Sequence, residues 1–310
     1  MVDLTDAELH EALSEASERA SLSAEGARII HHYSNAVFLL PAEDAVARMT
    51  PESRSVAQIG TTQQVVRWLC DDHGFGATSP IAGTTPTVVR PRQGAPGLTV
   101  SFWHYYPQPD PAEAFDSAHL GSLLRDLHAL TEPPLALPRW RPLTSLRNVL
   151  TSEGPYEGLS SAEREWLLEE VASVTERVDR YDWPLGTGLI HADAWAGNLL
   201  WDVTASAGQR AILGDWDGVS IGPREMDLIP TWHAATRYGR DKAWIERFVD
   251  TYGYDLSEEP GLDLLMRMRD LVQLSGPLRR ANRSAAHRAA LRERFDAIRA
   301  GDTAMTWTGL

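Results

Sequence analysis

The chain has 310 residues, of which 43% are hydrophobic and 23% are charged, and this composition excludes a mostly disordered chain. The 43 acidic residues outnumber the 29 basic ones, and the resulting net charge of −14 has the wrong sign for a protein that binds nucleic acid through its phosphates. The single cysteine, Cys70, excludes an internal disulfide and a cysteine-rich metal site. Because we find neither a secretion signal nor a long apolar run, we expect a cytoplasmic protein without membrane partners.

The first part of the chain predicts a small region of mixed helices and strands. Thr5 and Glu8 form a capping-box pattern before an amphipathic helix. Further along, the pattern predicts three short antiparallel strands over residues 29–49, a helix within residues 52–70 and another strand over residues 98–106. Prolines interrupt the pattern at residues 107–111, so we expect one lobe over residues 1–106 and a second over residues 107–310.

The second part of the chain is predominantly helical in pattern. Leucines at helical spacing fill residues 120–130, and Ser160 with Glu163 forms another capping-box pattern. Residues 187–220 are the one β-rich interruption, and helical patterns resume from about Met226. The expected fold class is therefore α+β, with a small β-rich N-terminal lobe and a larger, mainly helical C-terminal lobe.

Three polar residues in the β-rich interruption have the spacing of a phosphoryl-transfer loop. His191, Asp193 and Asn198 follow the order His-x-Asp-x-x-x-x-Asn. A loop that leaves a strand can direct the Asp193 carboxylate to a substrate hydroxyl. After a tight turn at Gly197, Asn198 can direct an amide oxygen to a metal ion. The alternative interpretation is a polar loop whose side chains only cap backbone groups.

A second acidic motif begins 22 residues after Asp193. Residues 212–218 read Ile-Leu-Gly-Asp-Trp-Asp-Gly, which is an apolar strand that ends in Asp215 and Asp217. Magnesium prefers oxygen ligands and takes one or two carboxylates together with nucleotide phosphates, a share that Asp215 and Asn198 would supply. A turn in which the two acids cap backbone groups is the alternative.

The motifs together resemble a known enzyme family. LIHADAWAGNLLWD followed by ILGDWDGVSIGPREMDL is similar to the aminoglycoside phosphotransferase and choline kinase family, which has a protein-kinase-like fold. The resemblance implies a kinase that depends on ATP or GTP and on magnesium and acts on a small-molecule hydroxyl. By position it makes Asp193 the catalytic base and Asn198 and Asp215 the magnesium ligands. It makes His191 and Asp227 structural supports of the loop, to which we add Asp217.

The expected phosphate site departs from the family pattern. The family places a lysine on the third strand, where this chain offers Arg48; the only lysine, Lys242, lies far along the sequence. Arginine keeps the positive charge of lysine and can make a bidentate hydrogen bond to phosphate. The matching helix carries no acid to pair with Arg48, and the alternatives as its partner are Glu52, Gln63 and Gln64.

Two further stretches are expected to contact the nucleotide. Ser34, in a turn without glycine, would cover the phosphates together with backbone amides, and a plain hairpin turn is the alternative. The strand that includes Trp103 and Tyr105 would present its backbone to the base, and a packed aromatic strand is the alternative.

The resemblance also implies the class of acceptor. Antibiotics of the aminoglycoside or cationic-peptide type come first, which would make the protein an antibiotic-resistance enzyme, followed by choline-like amines and sugars. The charge of −14 favours a cationic acceptor, and the late helices carry acids that could line its site, such as Asp250, Asp263 and Asp270.

Two other functions stay open at this point. A nucleotide-binding pseudokinase is motivated by Arg48 and the missing helix acid. A two-metal phosphatase would use the acids and the histidine of the two motifs, His191, Asp193, Asp215 and Asp217.

Overall fold

The computed structural model describes residues 4–32, 35–52, 56–91, 97–110, 112–131, 133–152, 157–205 and 210–309. The chain divides into two compact units. The first comprises residues 1–114, 133–137 and 198–217, and the second comprises residues 115–132, 138–197 and 218–310. The predicted lobe boundary after residue 106 stays a prediction.

Helices and strands occur in both units. In chain order the helices are α1 (Asp6–Ala20), α2 (Val56–His73), α3 (Ser117–His128), α4 (Thr144–Thr151), α5 (Ser161–Arg180), α6 (Glu225–Tyr238), α7 (Lys242–Tyr252), α8 (Leu262–Val272), α9 (Ser275–Arg280) and α10 (Ala285–Ala300). The strands are β1 (Arg28–His32), β2 (Ala36–Leu40), β3 (Ala45–Pro51), β4 (Thr87–Val89), β5 (Leu98–His104), β6 (Thr187–Ile190), β7 (Leu199–Asp202), β8 (Arg210–Leu213) and β9 (Ser220–Pro223). Among the described residues, no helix is both long and apolar enough to cross a bilayer.

A five-stranded antiparallel sheet forms the centre of the first unit. Its strand order is β1-β2-β3-β5-β4, and Arg48 in β3 lies opposite Val37 of β2 and Ser101 of β5. Side chains alternate between the two faces of a strand. Ala47 and Met49 are fully buried, whereas Arg48 between them is only partly buried. The alternation therefore places Arg48 on the face opposite the core.

Helix α1 packs against the core face of this sheet. Its capping box forms as predicted, because the Glu8 N–H donates to the Thr5 hydroxyl at 3.3 Å and the Thr5 N–H donates to the Glu8 carboxylate at 2.8 Å. Leu9 and Leu13 of α1 are buried in one cluster with Phe38 and Phe102 of the sheet. Full burial of each such side chain contributes about 1.5–3 kcal/mol to the free energy of folding. This burial stabilises the sheet that carries Arg48.

The β7–β8 pair also belongs to the first unit. Leu199 pairs with Leu213, and the backbone of Leu213 bonds to Gly76 and Thr78, in the segment that follows α2. The polar residues that follow β8 therefore lie in the same unit as Arg48.

The second unit consists of helices around the short antiparallel pair β6–β9, in which Ile190 lies opposite Ser220. Helix α5 begins at the predicted capping box, in which the Ser160 N–H donates to Glu163 at 2.7 Å. Helix α3 packs closely on α7, since the Ser117 hydroxyl donates to the Trp244 carbonyl at 2.6 Å. The antiparallel N-terminal sheet and the helical C-terminal region confirm the predicted α+β class.

Candidate active site

A cavity of about 630 Å³ lies in the first unit, within the roughly 300–1,000 Å³ that small-molecule sites occupy. Five residues that the sequence assigned to the site or its support line this cavity, namely Arg48, Trp103, Tyr105, Asp215 and Asp217. They come from strands β3 and β5 and from the segments that follow β5 and β8. The first unit therefore brings together parts of the sequence far apart along the chain.

Arg48 is a fixed positive charge on the wall of this cavity. Its Nη2 donates to Asp217 Oδ2 at 2.5 Å and lies 3.0 Å from Asp215 Oδ1, and only 18% of its side chain is exposed. Burial alone would lower the pKa of Arg48, but the carboxylates of Asp217 and Asp215 outweigh burial and raise this pKa above its ordinary value. A cation held in this way can bind phosphate oxygens with little loss of side-chain freedom.

The partners of Arg48 differ from the three alternatives considered. Glu52 pairs instead with Arg90 at 2.6 Å. Gln63 is buried and its amide nitrogen makes no hydrogen bond to a described residue, while Gln64 is exposed. Carboxylates from the segment after β8 neutralise Arg48, and Asp217 accepts a hydrogen bond from this arginine directly.

The two predicted magnesium ligands are neighbours in the first unit. The backbone carbonyl of Asn198 accepts a hydrogen bond of 2.8 Å from the N–H of Gly214, the residue that precedes Asp215. Asp215 has a positive φ of 57°, a conformation that aspartate adopts more readily than most residues and that often occurs at functional sites. No group of three or more His, Cys, Asp or Glu residues forms a metal cluster in the described part of the chain. One carboxylate and one amide oxygen still fit magnesium, which completes its shell with water and phosphates.

The aromatic wall of the cavity comes from β5 and the residues after it. The Trp103 indole N–H donates to the Ser101 hydroxyl at 2.9 Å, which fixes the ring. The backbone N–H groups of His104 and Tyr105 already donate to the carbonyls of Ser79 and Asp44, both at 2.9 Å. These two N–H groups are therefore engaged within the protein, and Trp103 and Tyr105 line the cavity. Ser34, the predicted phosphate contact, lies outside the described residues.

A buried carboxylate organises the predicted catalytic loop in the second unit. Asp227, at the start of α6, is fully buried and accepts hydrogen bonds of 2.7 Å from the N–H groups of both His191 and Ala192. His128 Nε2 lies 3.2 Å from the same carboxylate, and its Nδ1 lies 2.8 Å from the Tyr252 hydroxyl. These bonds hold Ala192 at a positive φ of 68°, a conformation that costs a non-glycine residue about 1–2 kcal/mol.

Asp193 leaves this turn with a half-exposed side chain. Its N–H lies 3.3 Å from Nδ1 of the buried His191. Two of the three predicted loop supports, Asp227 and His191, thus contact the loop backbone, whereas the third, Asp217, binds Arg48. Arg269 of α8 donates to Asp193 Oδ1 at 3.0 Å. Arg269 was not predicted from the sequence, because it lies 76 positions from Asp193 and no local pattern connects the two residues.

Trp195 is a second residue near Asp193 that was not predicted from the sequence. Its side chain is 48% exposed, two residues after Asp193. The ring lies over Gly197, where a Cβ atom would come within 2.2 Å of it. The absence of a side chain at Gly197 therefore permits the position of the Trp195 ring.

One of the acids expected to attract a cationic acceptor is already paired. Asp270 is 4% exposed and accepts hydrogen bonds of 2.9 and 2.6 Å from Arg237, and His233 Nε2 lies 3.0 Å from it. Burial alone would raise the pKa of Asp270, but the bonds from His233 and Arg237 outweigh burial and lower this pKa. The expectation for Asp270 is therefore wrong, whereas Asp250 and Asp263 are exposed.

Comparison with solved structures shows the fold. An amicoumacin kinase, hAmiN, in complex with AMP-PNP, Ca²⁺ and Ami is 15% identical, with 98% of each chain covered and a TM-score of 0.73. A microcompartment-associated aminopropanol kinase is 17% identical over 94% of this chain and 95% of that chain, with a TM-score of 0.69. A choline/ethanolamine kinase family protein from Mesorhizobium loti is 16% identical over 94% of each chain, with a TM-score of 0.60. No curated relative matches the chain by sequence.

The family is shown by the sequence itself. The profile of the phosphotransferase enzyme family (APH) matches residues 25–265, a range that contains β1 to β9, Arg48, the His191–Asn198 loop, Asp215 and Asp227. This match confirms the resemblance found in the motifs. The chain belongs to the phosphotransferase enzyme family and is a small-molecule phosphotransferase.

Proposed function

We propose that this enzyme transfers the terminal phosphoryl group of ATP or GTP, with magnesium, to a hydroxyl group of a small cationic molecule in the cytoplasm. The observation that carries the proposal is the position of Arg48 in the first-unit cavity, 3.0 Å from Asp215. A magnesium-bound polyphosphate needs a cation that binds its phosphate oxygens and a carboxylate that binds its metal ion, and Arg48 beside Asp215 would supply both.

The nucleotide would occupy this cavity. Its base would contact the aromatic wall at Trp103 and Tyr105, and its phosphates would bind Arg48. Asn198 and Asp215 would hold magnesium. When bound, this ion neutralises part of the negative charge of the phosphates. Asp217 would keep Arg48 in place through its hydrogen bond.

Asp193 would act on the acceptor. Its carboxylate orients the acceptor hydroxyl and takes the proton as that oxygen forms a bond to the terminal phosphorus, while the bond to the nucleoside diphosphate breaks. A general base of this kind typically contributes about 10²–10⁴-fold to the rate. Asp227 and His191 would maintain the loop that presents this carboxylate.

The acceptor is proposed to be cationic because the chain carries a net charge of −14 and because Asp250 and Asp263 are exposed in the helical unit. Two of the structural relatives are named as kinases of amicoumacin and aminopropanol. Aminoglycoside or peptide antibiotics, choline-like amines and sugars form the panel to test. Transfer to an antibiotic would make the protein a resistance enzyme.

The test is an acceptor screen at two salt concentrations, with ATP or GTP and magnesium. We expect transfer to a cationic acceptor, with a Michaelis constant that rises with salt because screening weakens long-range attraction. Rapid transfer to a neutral sugar, with no cationic acceptor used, would exclude the proposed acceptor class. Nucleotide binding without transfer to any acceptor would identify a pseudokinase. Phosphate release from small esters without nucleotide would identify a phosphatase.

A further inference from the structure

We propose that Arg269 is a positioning residue for Asp193, which holds one carboxylate oxygen and directs the other to the acceptor hydroxyl. The proposal rests on the proposed function for what Asp193 does. It adds a residue from α8, outside both sequence motifs, to the reaction.

The first support is the unequal exposure of the two partners. The Asp193 side chain is 48% exposed, whereas that of Arg269 is only 11% exposed, with 3.0 Å between Nη1 and Oδ1. Exposed ion pairs are weak partly because both long side chains lose freedom when they pair. Here the burial of Arg269 within the helical unit has already fixed the cation. The pair therefore acts mainly on the direction of the exposed carboxylate.

The second support is the charge around Arg269. The neighbouring acid Asp270 is bound by Arg237 and by His233. The positive charge of Arg269 also acts on the ring of His233 and on the hydroxyl of Tyr238. Its Nε makes no hydrogen bond to a described residue. Asp193 is thus the carboxylate that Arg269 binds within the described part of the chain.

The third support is that the contact with Arg269 sets the orientation of the Asp193 carboxylate, the proposed base. The contact of 3.3 Å between the Asp193 N–H and His191 Nδ1 involves the backbone of Asp193 and does not itself orient the carboxylate. A hydrogen bond to Oδ1 fixes the plane of the carboxylate and sets the direction of Oδ2. Misplacement of a reacting group by about 1 Å can cost about 10²-fold in rate, so this contact has room for a measurable effect.

The experiment compares Arg269→Gln with Arg267→Gln. Arg267 lies on the same helix and binds Glu170 at 2.7 Å, so its variant also loses one partly buried ion pair but leaves Asp193 untouched. We expect Arg269→Gln to lower kcat at least tenfold with little change in the KM for magnesium nucleotide. Arg267→Gln should keep wild-type kcat. An Arg269→Gln variant with kcat within twofold of wild type would refute the proposal.

The split between kcat and KM separates a positioning role from a purely structural one. Arg269→Lys keeps the charge but loses the planar guanidinium group, so it should cost about threefold or more in kcat and leave the KM for magnesium nucleotide unchanged. If Arg269→Gln does not fold, Arg269→Lys decides, and wild-type kcat in that variant would refute positioning.

A readout without an acceptor keeps this proposal separate from the proposed function. The ¹³C carboxyl signal of Asp193, assigned by its loss in Asp193→Asn, is recorded at one fixed pH in wild type and in the folded Arg269 variant. A changed position of this signal in Arg269→Gln or in Arg269→Lys supports the contact, and an identical position overturns it. If the wild type transfers to no acceptor, the proposed function fails while this signal still gives its own answer.

Discussion

Replacement of Arg48 by alanine is expected to weaken binding of magnesium nucleotide at least tenfold. The variant removes the cation of the cavity wall and the ion pairs that it makes with Asp215 and Asp217. The Asp217 carboxylate, no longer neutralised by Arg48, then repels the phosphates that Arg48 attracts in the wild type. The loss in nucleotide affinity therefore combines a lost attraction with a new repulsion.

The magnitude follows from the distances and from the exposure of the site. A unit charge pair at about 4 Å is worth about 4 kcal/mol at an effective dielectric constant of about 20. A typical charge-assisted hydrogen bond contributes about 1.5–3 kcal/mol. Water at the half-exposed Asp215 reduces the first value, so we expect a loss between about 1.4 and 4 kcal/mol. This range corresponds to about tenfold to 1,000-fold in the dissociation constant.

Calorimetric titration of wild type, Arg48→Ala and Arg48→Lys with magnesium ATP measures this loss. Arg48→Lys should bind magnesium ATP with intermediate affinity, because lysine keeps the charge but cannot make the bidentate hydrogen bond. Arg90→Ala is the matched control, since it breaks an exposed pair with Glu52 in the same unit. If Arg48→Ala binds magnesium ATP within twofold of wild type, Arg48 is a structural arginine and the phosphate assignment is refuted.

Three further variants test the supports of the helical unit by denaturant or thermal unfolding. Asp227→Asn should destabilise the protein by at least about 2 kcal/mol, because an amide cannot accept both buried backbone N–H bonds; an unchanged midpoint would contradict the geometry of the loop. Asp270→Asn should cost about 3–5 kcal/mol, since it breaks a buried ion pair, whereas the exposed Asp263→Asn on the same helix should stay within about 0.5 kcal/mol. The hydrogen bond from the Ser160 N–H and then that from Arg292 lower the pKa of Glu163 to about 2. The charged form therefore stabilises the fold above the ordinary Glu pKa, so Glu163→Gln should lower the free energy of unfolding at pH 7 by about 1 kcal/mol. This difference between wild type and variant should shrink as the pH falls from 4.5 towards about 2. A difference that does not depend on pH would contradict this pairing.

The elements that could be predicted from the sequence are those with local causes. Both capping boxes, at Thr5 and at Ser160, appear at the residues where the pattern places them, because each requires only a side chain and its neighbour three residues on. The strands over residues 29–49 also match β1, β2 and β3, since turn residues and alternation specify a hairpin locally. Strand β4 was not predicted, because its three residues carry too short a pattern.

The parts that could not be predicted are contacts between distant segments. Arg48 was identified by its position in a strand, but its partner Asp217 lies 169 residues away and no pattern in either segment connects them. Asp270 was expected to face an acceptor because it is an acid on a helix. Its burial against Arg237 depends on how α6 packs on α8. Helical periodicity shows which residues share a face, but it does not predict whether a residue near the edge of the apolar face is covered by a neighbouring helix.

The most direct test of the proposed mechanism compares Asp193→Asn with Asp215→Asn by thermal unfolding and by turnover. A ligand at one hundred times its dissociation constant adds about 2.7 kcal/mol to the folded state, so binding is readable without an acceptor. Asp193→Asn should keep the stabilisation by magnesium ATP and lose most turnover, because this base acts on the acceptor. Asp215→Asn should lose both, and a chelator should remove the stabilisation from the wild type. Stabilisation of Asp215→Asn as large as that of the wild type would contradict the assignment of magnesium to Asp215.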